Sequence, residues 1–172
     1  MSLQSVQLRS LQPKDFEVLV AIENDPKLWR YSNQNIPYSE EVLSAYIENQ
    51  HRSVFDVGQK RFVITNATQI PIGFIDLFDF EIVHQRAGVG IVILEEYRNM
   101  GYGKKSLLLL EIYAINKLNI KNLYANIGAE NQPSIQLFSS SGFERVGVKK
   151  NWNFYDGSYH DEYLFQKEYK NV

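Results

Sequence analysis

A turn rich in glycine and basic residues is the part of this sequence best suited to chemistry. It reads Arg-x-x-Gly-x-Gly from Arg98 to Gly103, follows an apolar run from Ala87 to Leu94, and leads directly into a helical pattern. A strand that enters a helix through such a turn leaves backbone N–H groups unpaired at the helix start, where the helix dipole also favours negative charge. The turn therefore predicts a diphosphate site, although a glycine pair alone is also typical of a plain turn.

Two common phosphate-binding motifs do not fit this turn. A Walker A loop with its last glycine at Gly103 would need glycine at Arg98 and a hydroxyl side chain at Lys105. A dinucleotide-binding fingerprint would need glycine at Ser106. The turn thus indicates a phosphate site of another kind.

Composition bounds the class of protein. A chain of 172 residues with a formal charge of −2 can bury one core and carries no basic footprint, so we predict a single domain over residues 1–172 and no nucleic-acid partner. The absence of cysteine excludes disulfides and a thiol nucleophile, and the three histidines are far apart in sequence, so we expect no metal site. Neither a bilayer-spanning run nor a secretory signal pattern is present, and we expect a cytoplasmic protein without a membrane partner.

The apolar pattern predicts an α/β fold with a mixed sheet. Alternating segments and helical repeats follow in the order β-α-α-β-β-β-α-β-α-β-β, with antiparallel hairpins early and late in the chain. Between them, a strand at Ala87, a helix from Lys104 to Lys117 and a strand at Leu123 form a β-α-β unit. Its crossover predicts that these two strands are parallel neighbours in a sheet with helices on both faces.

A second motif lies downstream of the glycine turn. It runs from Asn131 to Phe143 and reads Asn-Gln-Pro-Ser-Ile-Gln-Leu-Phe-Ser-Ser-Ser-Gly-Phe. Together with the glycine turn and the element order, it resembles the GNAT superfamily of acetyl-CoA-dependent N-acetyltransferases over nearly the whole chain. Further motifs resemble the branch that contains ribosomal-protein alanine acetyltransferases and spermidine acetyltransferases; they are Arg61-Phe62-Val63, Ile72-Gly73-Phe74-Ile75-Asp76 and Asp156-Gly157-Ser158-Tyr159-His160-Asp161.

The resemblance implies acetyl-CoA as co-substrate and a fold whose two central parallel strands splay apart to admit it. Backbone N–H groups from Met100 to Lys105 would bind the diphosphate, with basic side chains nearby. Main-chain groups of the strand at Ile91 would pair with the pantetheine arm, which Asn131 and Ser134 would face from the other side. The implied cofactor-binding residues are Ile91, Val92, Ile93, Arg98, Asn99, Met100, Gly101, Tyr102, Gly103, Lys104, Lys105, Asn126, Asn131, Ser134 and Phe138.

The catalytic groups are less evident, because the sequence departs from the family at two positions. Phe138 stands where many relatives carry a proton-donating tyrosine, and Gly88 stands where spermidine acetyltransferases carry a glutamate. The attacking amine must lose a proton and the thiolate benefits from gaining one, so either other groups serve or the thiolate leaves unaided. The predicted catalytic residues are Asp76, Glu81, Ser134 and Tyr155, with Asp79, Tyr124 and Ser139 as alternatives.

Two aromatic segments are expected to select the acceptor. The first runs from Trp29 to Tyr38, and the second is the last hairpin, around Trp152 and Tyr155. The residues assigned to substrate binding are Trp29, Tyr31, Asp76, Tyr155 and Tyr159. Where the polyamine branch has acidic residues in the first segment, this chain has neutral side chains from Ser32 to Pro37. Negative charge would then come from Asp76, Asp79, Asp156 and Asp161.

These observations predict transfer of an acetyl group from acetyl-CoA to a primary amine. The acceptor is either a polyamine-like small molecule or a protein N-terminus. The alternative function is a non-catalytic acyl-CoA-binding or sensing domain, which Phe138 and Gly88 favour. The resemblance is also compatible with a homo-oligomer, because members of the family are frequently dimers or larger.

Overall fold

A computed structural model describes residues 5–32 and 34–170 of the chain. Within these ranges the chain forms seven strands, namely β1 (Gln7–Ser10), β2 (Lys60–Thr65), β3 (Pro71–Glu81), β4 (Arg86–Ile93), β5 (Asn122–Gly128), β6 (Glu144–Tyr155) and β7 (Ser158–Glu168). It also forms six α-helices, namely α1 (Phe16–Glu23), α2 (Pro26–Trp29), α3 (Glu40–Glu48), α4 (Val54–Val57), α5 (Tyr102–Leu118) and α6 (Gln132–Ser140).

All seven strands belong to one mixed sheet in the order β1-β2-β3-β4-β5-β7-β6. The pair β4 and β5 is parallel and is joined by the crossover helix α5, while the other neighbouring strands are antiparallel. This confirms the predicted α/β class and the predicted β-α-β unit. The short helices α2 and α4 were not predicted, and α5 begins at Tyr102 rather than at Lys104.

The two faces of the sheet carry different helices. On one side, which we call the α5 face, side chains such as Val89 and Leu123 pack with Leu107 and Leu110 of α5 in the larger core cluster. On the other side, the α1 face, Val63 and Phe74 pack with residues of α1 and α3. Because side chains alternate along a strand, β2, β3 and β4 each contribute to both cores. The described helices include none long and apolar enough to cross a membrane.

The central parallel pairing is short. In the described strands, the register joins Arg86, Ala87 and Gly88 of β4 to the residues from Asn122 to Tyr124 of β5, and Gly88 opposite Tyr124 is the last pair. Strand β4 continues to Ile93 on the side of β3, whereas β5 continues to Gly128 on the side of β7. The main chain of β4 after Gly88 is therefore paired with β3 alone.

One glycine allows β3 and β4 to pair closely beside this opening. A Cβ placed on Gly73 would lie 2.1 Å from the carbonyl oxygen of Val92, which is far inside van der Waals contact. Gly73 is opposite Ile93, at the end of β4 that leads into the glycine turn. The glycine therefore fixes the position of the strand that precedes the turn.

Replacing Gly73 by alanine is expected to lower the free energy of unfolding by about 2 kcal/mol, because the backbone of β4 must move to accommodate the methyl group. The matched control is Gly90→Ala, since a Cβ on Gly90 would lie 3.9 Å from the ring of Phe78, an ordinary contact. That control should change stability by less than about 1 kcal/mol. Urea denaturation of both variants measures the difference, and equal losses would contradict the close approach at Gly73.

Candidate active site

The glycine turn lies at the start of α5 with its backbone open. Gly101 immediately precedes the helix at φ +80°, a left-handed conformation that glycine adopts without strain, and no described side chain caps the helix. A Cβ on Gly101 would meet no heavy atom within 4 Å. The first N–H groups of this 17-residue helix are therefore available to an anionic ligand, as the diphosphate assignment requires.

Two predicted cofactor residues have structural contacts within this turn. Arg98 donates from Nε to the carbonyl oxygen of Ile93 at 2.9 Å, which ties the turn to the end of β4. Tyr102 is buried, and its ring packs edge-on against Tyr97. Tyr102 can therefore contribute its backbone N–H to a ligand, while its ring belongs to the core.

The other members of the turn lie closer to solvent or to α6. Gly103 packs against α6, where a Cβ would lie 3.3 Å from the side chain of Leu137. Asn99, Met100 and Lys104 are exposed, whereas Lys105 is half-buried. The turn thus combines an open backbone with basic side chains at the end of β4.

The predicted cofactor residues of β4 and α6 flank the short β4–β5 pairing. Ile91 and Ile93 pack on the α5 face, and Val92 packs on the α1 face. Asn131 caps α6, because its Oδ1 accepts the backbone N–H of Ser134 at 3.2 Å. Asn131 and Ser134 therefore lie where β5 ends and α6 begins.

Two further predicted cofactor residues are engaged with protein neighbours. Phe138 is buried and packs edge-on against Phe143 at a ring-centroid distance of 5.0 Å, so it acts as a core residue between α6 and β6. Asn126 lies on the α1 face and accepts a hydrogen bond from Lys149 Nζ at 2.9 Å. Neither residue offers an acid or a base to a substrate.

Asp76, predicted as both a catalytic and a substrate residue, is held in an ion pair. Its two carboxylate oxygens accept from Nε and Nη2 of Arg61 at 2.6 and 2.9 Å, while Nη1 of Arg61 donates to Glu23. Burial alone would lower the pKa of the Arg61 guanidinium, but the charge and hydrogen bonds of Asp76 raise it above its usual range. Because Arg61 occupies both oxygens, the structure favours a structural role for Asp76.

Glu81, the second predicted base, lies in an exposed ion pair. Its Oε1 accepts from Arg86 at 2.8 Å, and His84 is 3.7 Å from its Oε2. The hydrogen bond from Arg86 lowers the pKa of the Glu81 carboxyl below its usual value. A lowered pKa makes Glu81 a weaker proton acceptor than an ordinary glutamate.

Tyr155 belongs to a polar cluster near the turn between β6 and β7. Its ring stacks on His160 at a centroid distance of 3.8 Å, and its hydroxyl donates to Glu130 at 3.3 Å. Nδ1 of His160 lies 3.1 Å from the other carboxylate oxygen of Glu130. Partial burial, and then the charge of Glu130, raise the pKa of Tyr155, so its hydroxyl stays protonated at neutral pH. The sequence did not indicate Glu130 or His160 as partners of Tyr155.

The predicted substrate residues Trp29 and Tyr31 flank Arg30 at the end of α2. Arg30 approaches Asp156 at 4.0 Å, which brings the segment that contains Trp29 and Tyr31 towards the β6–β7 turn. The Trp29 Nε1–H, however, donates to the carbonyl oxygen of Glu23, so this indole fastens α2 to α1. Asn33, from the neutral stretch beside Tyr31, lies outside the described residues.

Tyr159, predicted as a substrate residue, packs against another aromatic ring of the same hairpin. It is opposite Phe154 in the β6–β7 register, and the two rings pack at 5.0 Å. His160, the next residue, is opposite Asn153, so alternation turns Tyr159 and Tyr155 to opposite faces of the hairpin. Tyr159 therefore does not share a pocket wall with Tyr155.

A cavity of about 850 Å³ opens on the α1 face beside the last β4–β5 pair. Its lining includes Phe78, Asp79 and Tyr124, together with residues of β7 and of the loop before β2. A Cβ on Gly88 would lie 2.3 Å from the ring of Phe78, so this ring fills the space that a side chain at position 88 would need. The missing glutamate at Gly88 therefore has a structural counterpart, the aromatic ring of Phe78.

Replacing Asp76 by asparagine is expected to lower the free energy of unfolding by roughly 2 kcal/mol, because the Arg61 guanidinium loses one of its two charged partners and keeps only Glu23. The side chains of Arg61 and Asp76 are 16% and 24% exposed, and solvent screening keeps the loss below that of a fully buried pair. The control Asp161→Asn, which weakens a pair with Lys150, whose side chain is 76% exposed, should cost less than about 1 kcal/mol. Urea denaturation and a pH profile of kcat distinguish a structural role of Asp76 from a role as general base. An unchanged stability with a lost acidic limb of the profile would instead identify Asp76 as a base.

Comparison with known proteins agrees with this geometry. The acetyltransferase (GNAT) domain family matches residues 5–144. Spermidine N(1)-acetyltransferase of Escherichia coli (strain K12) is 28% identical over 171 residues, covering 98% of this chain and 90% of the relative. The corresponding enzyme of Vibrio cholerae serotype O1 is 25% identical over 167 residues, covering 95% of each chain.

Solved structures agree at the level of the fold. The spermidine N-acetyltransferase from Vibrio cholerae in complex with CoA and spermine superposes with a TM-score of 0.86 at 22% identity, over 95% of both chains. The family match covers most of the chain, including the glycine turn and the Asn131 motif. The chain therefore belongs to the GNAT family of acetyltransferases, as its motifs predicted.

Proposed function

We propose that this protein transfers the acetyl group of acetyl-CoA to a primary amine of a small, polyamine-like molecule. One observation carries the proposal. The main chain of β4 after Gly88 is unpaired on the side of β5, and the uncapped start of α5 follows it directly. A pantetheine arm needs a strand edge with which to pair, and a diphosphate needs uncapped N–H groups.

The residues at this opening fit the co-substrate. Backbone N–H groups of the first turn of α5 would bind the diphosphate, with Lys104 adding positive charge. The main chain from Ile91 to Ile93 would bind the pantetheine arm, with Asn131 and Ser134 on the opposite side. Acetyl-CoA supplies an activated thioester, whose acyl carbon forms a C–N bond with the amine while its C–S bond breaks.

The protein must then hold the acceptor, receive a proton and stabilise negative charge. An alkyl ammonium group has a pKa of about 10.4, so it must lose a proton before attack. Main-chain N–H groups near Ile91 and Val92 would stabilise the oxyanion. Of the predicted catalytic residues, Ser134 would offer its hydroxyl to the thiolate, whereas the Tyr155 hydroxyl donates to Glu130 and Asp76 and Glu81 are held in ion pairs.

The choice of a small amine rests on the relatives. Spermidine N(1)-acetyltransferases of two bacteria match this chain over nearly its whole length. They support a small-molecule amine over the protein N-terminus that the sequence also allowed. The acceptor would enter on the α1 face, where the cavity beside Tyr124 lies.

Assembly and location complete the proposal. Residues 1–172 would form one domain, located in the cytoplasm, that assembles into a homo-oligomer. The outer strand β6 presents the exposed apolar side chains of Val146, Val148 and Phe154, which a second copy would cover. A spermidine N-acetyltransferase structure from Vibrio cholerae, similar to this chain in fold, is described as dodecameric.

Replacing Gly101 by alanine is expected to weaken CoA binding by about fivefold, the equivalent of one impaired hydrogen bond of about 1 kcal/mol. The methyl group disfavours the left-handed conformation that presents the N–H groups of α5. Gly157→Ala is the matched control, because Gly157 has φ +75° in the β6–β7 turn and equally open surroundings. Isothermal titration with CoA should show weaker binding in the Gly101 variant alone. Equal affinity in both variants would remove the diphosphate assignment.

The activity itself can be tested with acetyl-CoA and a panel of three acceptors, namely spermidine, an aliphatic monoamine and a peptide with N-terminal alanine. Release of free CoA thiol measures turnover, and we expect turnover with spermidine. Tight CoA binding without thiol release for any acceptor would favour the alternative, a binding or sensing domain. Turnover with the peptide alone would identify a protein acetyltransferase.

A further inference from the structure

The aspartates that could attract a cationic acceptor differ in whether a cation already neutralises them. Asp76 is paired with Arg61, and Asp161 accepts from Lys150 at 2.8 Å. Asp156 lies 4.0 Å from Arg30. For Asp79, among the described residues, the side-chain contact is a hydrogen bond of 3.1 Å from the neutral phenol of Tyr124. Within the described ranges, the Asp79 carboxylate forms no ion pair, whereas Arg86, which lines the same cavity, is paired with Glu81.

Asp79 is also the aspartate of this group that lines the 850 Å³ cavity. Two aromatic rings, those of Phe78 and Tyr124, line the cavity with it and pack edge-on at a centroid distance of 5.9 Å. Gly88 makes room for the Phe78 ring. A carboxylate beside aromatic surfaces matches the chemistry of an alkylammonium group, since the alkyl chain packs on the rings and the cation meets both the charge and the π-faces.

The cavity lies next to the proposed reaction centre but is distinct from it. Tyr124 and Gly88 form the last β4–β5 pair, and the opening for the pantetheine arm begins directly after them. Asp79 lies beyond Phe78, towards the β3–β4 hairpin and away from that opening. A group bound at Asp79 would therefore be the far end of an acceptor whose near end is at the reaction centre.

Tyr124 is suited to orient Asp79. Burial, followed by the charge of Asp79, raises the pKa of Tyr124 to about 12, so the phenol is protonated at neutral pH and donates to Oδ2. Oδ1 is then left to accept from a ligand. Glu81, on the same rim, differs because Arg86 and His84 already approach its carboxylate.

We propose that Asp79, oriented by Tyr124, binds the distal ammonium group of a diamine or polyamine acceptor and so selects such acceptors over monoamines. This inference rests on the proposed function. It assigns the role of cation binding to the β3–β4 hairpin, whereas the segment from Ser32 to Pro37 lacks acidic residues. Asp79 is a specificity-determining residue here, and Tyr124 is a positioning residue.

The test compares α,ω-diamines of four to ten carbons, and spermidine, with aliphatic monoamines of equal length. In the wild type, KM for the preferred diamine should be lower than for the matched monoamine. Asp79→Asn should raise KM for the diamine by roughly fivefold, the upper range for an exposed ion pair, with little change in kcat or in KM for the monoamine. Tyr124→Phe should produce a smaller rise for the same acceptor.

Two controls separate charge from folding. Asparagine tolerates the left-handed backbone of Asp79 (φ +47°), so Asp79→Asn should melt at the wild-type temperature. Asp56→Asn removes an exposed carboxylate in α4, one residue before the cavity-lining Val57, and should leave KM for the diamine unchanged. A rise in KM for Asp56→Asn equal to that for Asp79→Asn would indicate general charge attraction and overturn the assignment.

The outcomes also distinguish this inference from the proposed function. An active enzyme without a preference for diamines, or one in which Asp79→Asn affects both acceptors equally, would overturn the inference and leave acetyl transfer intact. If the wild type acetylates no amine, titration calorimetry with the diamine and CoA still decides. Diamine binding that Asp79→Asn weakens would support the site, and equal binding in both proteins would remove it.

Discussion

The short parallel pairing between β4 and β5 is the constraint on which the rest of the structure depends. Three residues of each strand are joined, from Arg86 to Gly88 on β4, and the strands then follow different partners. A parallel pair needs a long crossover, and here the crossover is α5, which starts after the end of β4 and returns the chain to the start of β5. The same geometry therefore exposes a strand edge and places uncapped N–H groups next to it. This arrangement fits a long molecule with an anionic end.

Three glycines determine which backbone and side-chain groups can pack beside this opening. Gly73 lets β3 approach β4 where no Cβ fits, and Gly101 turns the chain into α5. Gly88 has a different effect, because the space above it is filled by the ring of Phe78. The glutamate that the resemblance to spermidine acetyltransferases implies at this position would have to displace that ring, so Gly88 and the aromatic lining of the cavity depend on each other. The family position is occupied in this protein by an apolar surface rather than by a base.

The sequence predicted those parts of the site that depend on local patterns. The glycine turn, the cap at Asn131 and the β-α-β unit are encoded in consecutive residues, and the structure confirms where they lie. The contacts of Asp76 could not be predicted from the sequence, because its pairing with Arg61 depends on the β2–β3 register. The face on which Tyr159 lies could not be inferred either, because it depends on the pairing of Tyr155 with Ser158 at the β6–β7 turn. The helices α2 and α4 are too short for a helical period to show.

The same distinction between local and non-local information explains why the acidic residues could not be ranked from sequence. The attraction between an aspartate and a cationic substrate depends on the net charge of the aspartate together with the cationic side chains around it. Those side chains come from other strands. Arg61 neutralises Asp76 across β2 and β3, and Lys150 neutralises Asp161 across β6 and β7. Tyr124 reaches Asp79 from β5 with a neutral donor, which orients the carboxylate without cancelling its charge. A site for a cation needs a carboxylate that is oriented but not neutralised. A carboxylate in an ion pair attracts a cationic ligand only weakly, and a carboxylate without a hydrogen-bond donor loses conformational entropy when the ligand binds.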